Sequence, residues 1–157
     1  MKSTIRNLSL LLVSCLFIYG SCSKDDANSN TGGSFFINGT SHDVTSTTRT
    51  TSTNLIWFNF TSLNSSTFAN SSVNFYFAGT SIPAAGTYNI TSSSVGLAAN
   101  QVYVMATSTT SSSVTTEYDA TGTGTVQVSV NGGKVNISMG NTSMTNSGTV
   151  SASVNEK

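Results

Sequence analysis

Hydrophobic and polar residues alternate along this chain with a period of two, from about Ser34 to the carboxyl end. Val126, Val128 and Val130 alternate with polar neighbours, and the same period resumes after an Asn-Gly-Gly sequence at 131–133. That period is typical of a β-strand with one buried face. Residues that tolerate a positive φ, placed between two such runs, predict a hairpin here, and Asn38-Gly39 after the apolar run 35–37 predicts another.

Similar short runs cover most of residues 34–157. Their apolar positions are Phe35 and Ile37; Ile56, Phe58 and Phe60; Val73, Phe75 and Phe77; Tyr88 and Ile90; Val102, Val104 and Ala106; Val114 and Tyr118; Val135, Ile137 and Met139; Val150, Ala152 and Val154. No window keeps a helical period of 3.6. Nine or ten short strands therefore predict an all-β domain over 34–157, an antiparallel β-sandwich or a barrel-like fold. The Ser- and Asn-rich stretches 64–72 and 107–113 are expected to be mobile loops.

The amino-terminal segment has the composition of a secretory signal. Lys2 and Arg6 precede an apolar run over 8–19, and the small residues Gly20 and Ser21 close it. The run is shorter than the ~20 apolar residues that a membrane-spanning helix needs, so the alternative of a single-span anchor is disfavoured. Residues 1–21 are predicted to be a cleaved signal peptide.

Residues 19–22, Tyr-Gly-Ser-Cys, resemble the lipobox of bacterial lipoproteins, in which small residues precede a lipidated cysteine. The resemblance implies cleavage before Cys22 and attachment of lipid, such as palmitate, to it. Cys15 also follows a lipobox-like sequence, but cleavage there would leave too short an apolar core. Several acyl chains on one cysteine would anchor the protein durably in a membrane.

The sequence Ser-Lys-Asp-Asp that follows resembles the tether of surface-exported lipoproteins of Bacteroidota, which implies an export role for Lys24, Asp25 and Asp26. Residues 22–33 are predicted to form the lipidated cysteine and a flexible tether. The chain as a whole resembles the small β-rich lipoproteins of that group. This resemblance implies an outer-membrane location, with exposure at the cell surface, or alternatively toward the periplasm, and no established activity.

Composition narrows the chemistry that the mature chain can perform. Cys22 would be its only cysteine, which leaves no disulfide framework and no free catalytic thiol. Charged residues make up 8% of the whole chain, against about 25% in average soluble domains. Basic residues do not cluster, so nucleic acid is not expected as a partner.

No set of residues in the sequence predicts a catalytic site, a metal site or a cofactor site. The chain has one histidine, His42, which is expected to face solvent from a hairpin, and no Gly-x-Ser-x-Gly sequence. Glu117 and Asp119 would share one face of a strand. Paired carboxylates serve glycoside hydrolases, but at this spacing they are usually a plain polar edge or a weak cation contact.

The aromatic residues between the core positions predict a binding surface. If Ile56, Phe75 and Val102 point inward, strand alternation places Trp57, Tyr76 and Tyr103 on the opposite face. Together they would form a platform for sugars or peptides. The alternatives are that another part of the protein covers them, or that the register differs by one residue.

The leading hypothesis is a lipid-anchored, non-enzymatic envelope protein whose β-domain binds a polysaccharide or an envelope protein, or acts as an accessory module. A carbohydrate-active hydrolase is the alternative from another class, and a structural or adhesive surface protein is a third. A cleft with convergent carboxylates would favour the hydrolase, whereas an aromatic strip on a sheet would favour binding.

Overall fold

The computed structural model describes residues 32–157, and within them the fold is all-β, as predicted. The eleven strands are β1 Gly33–Ile37, β2 Thr40–Asp43, β3 Ser46–Thr51, β4 Leu55–Asn64, β5 Ala69–Ala78, β6 Gly86–Thr91, β7 Gln101–Thr109, β8 Thr115–Asp119, β9 Thr125–Asn131, β10 Lys134–Ser143 and β11 Thr149–Asn155. This part of the chain contains no helix, and hence none that could cross a membrane.

All eleven strands belong to one strongly curled sheet, consistent with a β-sandwich or barrel-like fold. Its order is β2-β1-β11-β10-β9-β6-β7-β5-β4-β3, and β8 pairs with β7 outside this path. Every pairing is antiparallel except that of β6 with β7, which is parallel. The sheet is therefore antiparallel, as predicted, except at the parallel contact of β6 with β7. This contact joins one half of the sheet, from β2 to β6 in the strand order, to the other half, from β7 to β3.

Two predicted hairpins are confirmed, and their turns show why the sequence folds locally. Asn38 and Gly39 have φ values of 51° and 77° between β1 and β2, and Gly132 and Gly133 have 57° and 76° between β9 and β10. Positive φ at both central residues gives the turn a twist that matches the strands it joins.

The inward faces of the strands meet in one hydrophobic cluster. Phe58, Phe60, Phe75 and Phe77 are at most 1% exposed. Their rings pack edge to face across β4 and β5, with centroids 6.0 Å apart for Phe58 and Phe77 and 6.1 Å for Phe60 and Phe75. The predicted inward register of these two strands is thus confirmed. Val114, by contrast, precedes β8 and is 60% exposed.

The two predicted mobile loops were wrong in extent. β4 continues to Asn64, β5 begins at Ala69 and β7 continues to Thr109, so only residues 65–68 and 110–114 connect these strands. Hydroxyl groups take the place of apolar contacts here, since the oxygens of Ser72 and Thr107 lie 2.9 Å apart across neighbouring strands. Such cross-strand pairs stabilise a sheet, although they lack the apolar signature of a strand.

An ion pair joins the β3 edge to the other half of the sheet. The Arg49 guanidinium donates to both carboxylate oxygens of Glu156, at 2.7 and 2.6 Å, and to the carbonyl of Gly133 at 2.7 Å. Glu156 also accepts from the backbone N–H of Val135. Arg49 lies over the ring of core Phe58, with 5.5 Å from its Cζ to the centroid. The pair therefore closes the inner side of the curled sheet.

The predictions for the amino-terminal region lie outside the described residues. They concern the signal peptide at 1–21, lipidation of Cys22 and the export residues Lys24, Asp25 and Asp26. The described part begins at Gly32, and β1 begins at Gly33, one residue before the expected start of the domain.

Candidate functional site

Trp57, Tyr76 and Tyr103 lie side by side on the outer face of three neighbouring strands. β4 and β5 pair so that Trp57 is opposite Tyr76, and β5 and β7 pair so that Tyr76 is opposite Tyr103. Their neighbours at 56, 77 and 102 are buried in the core. The three side chains, called here the aromatic row, thus lie together on one face.

The rings of the aromatic row contact one another and are half-buried. The centroids of Trp57 and Tyr76 lie 5.8 Å apart with an interplanar angle of 25°, a stacked arrangement. Tyr76 and Tyr103 lie 5.6 Å apart at 47°. Both distances fall in the range of favourable aromatic pairs, so the three rings form one continuous surface.

Two carboxylates lie beside the Tyr103 end of the row because of how β7 is paired. On one of its edges, residues 101–103 pair with β6 and residues 105–109 pair with β8. β8 places Asp119 opposite Met105 and Glu117 opposite Thr107. Asp119 therefore lies diagonally from Tyr103, within the reach of a long side chain, and it accepts a hydrogen bond from the Tyr103 hydroxyl.

The electrostatics of the tyrosines reflect this neighbourhood. Burial raises the pKa of Tyr103 most, and the hydrogen bond to Asp119 and the charges of Asp119 and Glu117 raise it further. The pKa of Tyr76 is raised by burial first and then by the charges of Glu117 and Asp119. Both phenols are consequently neutral at physiological pH, and the two carboxylates act electrostatically on both tyrosines of the row.

Amide groups form a second row next to the aromatic one. Asn59 is opposite Asn74, and Asn74 is opposite Met105. The Asn59 Nδ2 donates to Asn74 Oδ1 at 2.8 Å, and the Thr61 hydroxyl donates to Asn59 Oδ1 at 2.6 Å. The outer face therefore combines aromatic rings with oriented neutral hydrogen-bonding groups.

His42 differs from its expected position. Its ring stacks on core Phe35 with centroids 5.2 Å apart, because the two residues are opposite each other in β2 and β1. Partial burial lowers the pKa of His42. The expectation of a solvent-facing histidine was wrong, because residue 42 lies on the inward face of its strand, opposite Phe35. Over residues 32–157, no three His, Cys, Asp or Glu side chains come together as a metal site would require.

Sequence reasoning missed the relation between the carboxylates and the aromatic row. The spacing of Glu117 and Asp119 indicates a shared face, and Tyr118 between them is buried as alternation requires. Which strand lies beside β8, however, depends on the pairing of β7 with β6, β5 and β8. No local pattern marks that order. Asn74 was missed because an asparagine inside a strand carries no distinguishing signal.

The fold and this face define only a broad class, that of small all-β domains with an aromatic strip on one outer surface. No protein-family model, no curated protein and no solved structure matches the chain.

Proposed function

We propose that this chain is a lipid-anchored cell-envelope protein, without enzymatic activity, whose β-domain binds a carbohydrate through the aromatic row. The observation that supports it most is the stacked, half-buried arrangement of Trp57, Tyr76 and Tyr103 on one outer face. Aromatic faces pack on the apolar faces of sugar rings, and their polar groups keep hydrogen bonding at the edges. An envelope protein is the alternative partner.

The core does not require these three residues, which is why they support a binding function. Each lies between inward positions that are already filled by large apolar side chains. A smaller polar residue would satisfy the same outward position, and single exposed apolar residues are common. Three in contact are a patch, and patches are associated with binding. The flanking amides of Asn59 and Asn74 offer hydrogen bonds that sugar hydroxyls can use.

Binding can be tested with a soluble form from Gly32 to the carboxyl end, which contains all eleven strands and the hydrophobic cluster. Screening against a polysaccharide panel and envelope extracts should yield a ligand that Trp57→Ala weakens at least tenfold. Phe36→Ala is the matched control, since Phe36 is 40% exposed on the outer face of distant β1. Equal loss in both variants, or no loss in either, would argue against the aromatic row as the site.

Anchoring requires a separate experiment on producing cells. Cys22→Ala should leave the precursor uncleaved by the lipoprotein peptidase and unlabelled by an alkyne fatty acid, and Cys15→Ala is the matched control. Label retained in the first variant and lost in the second would assign the lipid to Cys15. Replacing Lys24, Asp25 and Asp26 with alanine should protect the protein from external protease on intact cells. Unchanged digestion would contradict their export role.

A further inference from the structure

We infer that the aromatic row binds a cationic carbohydrate, an oligosaccharide of amino sugars, whose ammonium group is received by Glu117 and Asp119. This inference rests on the proposed function and specifies its ligand class. It follows from three observations on the same face: the continuous ring surface, two carboxylates without a cationic partner, and a buried amide with a free donor.

Among residues 32–157, the two carboxylates have no positive counterpart on their own face. Over residues 32–157 the cationic side chains are Arg49, Lys134 and Lys157, and none lies on the outer face of β4, β5, β7 or β8. Arg49 faces inward and pairs with Glu156, while Lys157 contacts the carbonyl of Thr45 beside the β3 edge. Lys134 begins β10 in the other half of the sheet.

Strand spacing shows how far these charges are separated. Three strands, β4, β5 and β7, lie between β3 and β8. At about 4.8 Å per strand, the path along the sheet from the β3 edge to Glu117 and Asp119 is roughly 19 Å. That path is longer than the Debye length of about 8 Å at physiological salt, so the cations at the β3 edge are poorly placed to neutralise the two carboxylates. The aromatic surface ends in an uncompensated negative charge, which favours a cationic ligand.

The rings themselves favour the same charge. An ammonium group is attracted to the face of Trp or Tyr within about 6 Å of the ring centroid. The negative end of the row is continuous with these faces, because Tyr76 contacts Tyr103 and Tyr103 donates its hydroxyl to Asp119. A ligand lying along the row therefore meets ring faces first and carboxylates at one end.

Asn74 is the independent observation that points to a ligand. It is 6% exposed, and its Oδ1 accepts from Asn59, but its Nδ2 donates to no group among the described residues. No fully enclosed side-chain nitrogen or oxygen in that part of the chain lacks a partner. This Nδ2 is therefore not fully enclosed, and Asn74 lies next to the aromatic row, two residues before Tyr76 on the same face of β5. A fixed donor of this kind suits a sugar hydroxyl or ring oxygen.

Sugar is favoured over a lysine-rich peptide by the length and polarity of the face. The ring centroids are spaced by 5.8 and 5.6 Å, comparable to the length of one sugar unit in an oligosaccharide. The amides of Asn59 and Asn74 border the rings along one side. A lysine side chain would use one ring and one carboxylate, and would leave the rest of the row uncovered.

The test compares two sugar oligomers that differ in charge at each sugar unit. Glucosamine hexamer and N-acetylglucosamine hexamer are titrated against the purified full-length chain in mild detergent. Both titrations are carried out in the same mildly acidic buffer, in which the amines of the glucosamine hexamer are protonated. We expect the glucosamine hexamer to bind at least tenfold more tightly, and added salt to remove most of that difference.

Matched variants assign the preference to the carboxylates. Glu117→Gln should weaken binding of the glucosamine hexamer about two- to fivefold, since exposed charge pairs contribute modestly, and should leave the acetylated hexamer unchanged. Asp43→Asn is the control, because Asp43 is exposed on β2 in the other half of the sheet. An Asp119→Asn variant tests the carboxylate that also holds Tyr103.

The outcomes separate the inference from the proposed function. Equal binding of both hexamers, with loss in Trp57→Ala, would overturn the cationic ligand and keep carbohydrate binding. Binding of oligolysine but of neither hexamer would overturn the inference in favour of a peptide. If neither hexamer binds and the polysaccharide panel is also negative, the inference and the proposed carbohydrate binding are both wrong.

Discussion

The two halves of the curled sheet share the same alternation but differ on their outer faces. In the aromatic half, which comprises β3, β4, β5, β7 and β8, the outer face carries Trp57, Tyr76 and Tyr103. In the polar half, which comprises β1, β2, β6, β9, β10 and β11, the corresponding positions on β9, β10 and β11 are polar, such as Gln127, Ser138 and Ser153.

The inner faces show that folding alone does not explain this difference. Phe75 on β5 and Ile137 on β10 are both buried in the same cluster. Each half thus buries an apolar face, and β9, β10 and β11 fold with polar residues outside. Large aromatic residues on the other outer face are additional to what the fold needs. The comparison therefore assigns the core to stability and supports the proposal that the aromatic row contacts another molecule.

The largest expected effect is on the shared core. Phe75→Ala should lower the free energy of unfolding by about 3–5 kcal/mol, because Phe75 is 0% exposed and its removal leaves a cavity beside Phe60. Denaturant unfolding followed by circular dichroism measures the change. A loss below about 1 kcal/mol would show that the inner face of the aromatic half is not part of the cooperative core.

The ion pair between Arg49 and Glu156, which joins the two halves, should contribute less to the free energy of unfolding. Arg49→Met removes three hydrogen bonds and leaves Glu156, whose side chain is 10% exposed, without its charge partner. We expect a loss of about 1–3 kcal/mol in the free energy of unfolding. A double-mutant cycle with Glu156→Gln isolates the coupling. Additive effects would contradict the conclusion that this pair joins the two halves.

Trp57→Ala distinguishes an open aromatic row from a covered one. Since Trp57 is half-buried and stacked on Tyr76, its loss should cost about 1–2 kcal/mol in stability. As the only tryptophan, it reports directly on its surroundings, and its emission should be quenched by iodide. A loss of 3–5 kcal/mol with unquenched emission would mean that the row is part of the interior.

The sequence was sufficient to predict the features that depend on the alternation of residues within a strand. The inward phases of Phe58, Phe75 and Val104, the two hairpin turns and the shared face of the aromatic row all follow from a period of two and from positive-φ residues. These are local properties, because each strand determines its own two faces. A single register error would have moved Trp57 into the core.

The order of the strands and the pairing of polar strand segments could not be predicted from the sequence. The parallel contact of β6 with β7, and the placement of β8 on the same edge, depend on connections such as residues 92–100 that carry no apolar pattern. The polar start of β5 carries no apolar strand pattern, because Ser71 and Ser72 are held by hydroxyl pairs instead of apolar contacts. Asp119 reaches Tyr103 only as a consequence of that order.

Tyr103→Phe tests the electrostatics of the aromatic half. The raised pKa of Tyr103 means that the folded protein holds this proton more tightly than the unfolded chain. Its contribution is fully present below the unfolded pKa of about 10 and is lost as pH rises above it, because only the unfolded state then releases the proton. The variant should cost about 1 kcal/mol at neutral pH and show a shallower decline in stability above about pH 10.

A parallel decline in the wild type and in Tyr103→Phe would contradict this role for the Tyr103 proton. Tyr88 also has a raised pKa, from burial, so Tyr88→Phe serves as the comparison. It lies on the core face of β6 and its hydroxyl donates to the carbonyl of Ala84. Only Tyr103→Phe should also alter the binding of a ligand at the aromatic row.

The smallest effect is expected on the outer face of the polar half. Ser153→Ala changes an exposed hydroxyl on β11, between the inward Ala152 and Val154. It should alter the free energy of unfolding by no more than about 0.5 kcal/mol, since the strand pairs through its backbone and no cavity forms. Ligand affinity should be unchanged within error. If Ser153→Ala weakened binding as much as Trp57→Ala, the contrast between the two outer faces would fail, and the site would have to be sought on the polar half as well.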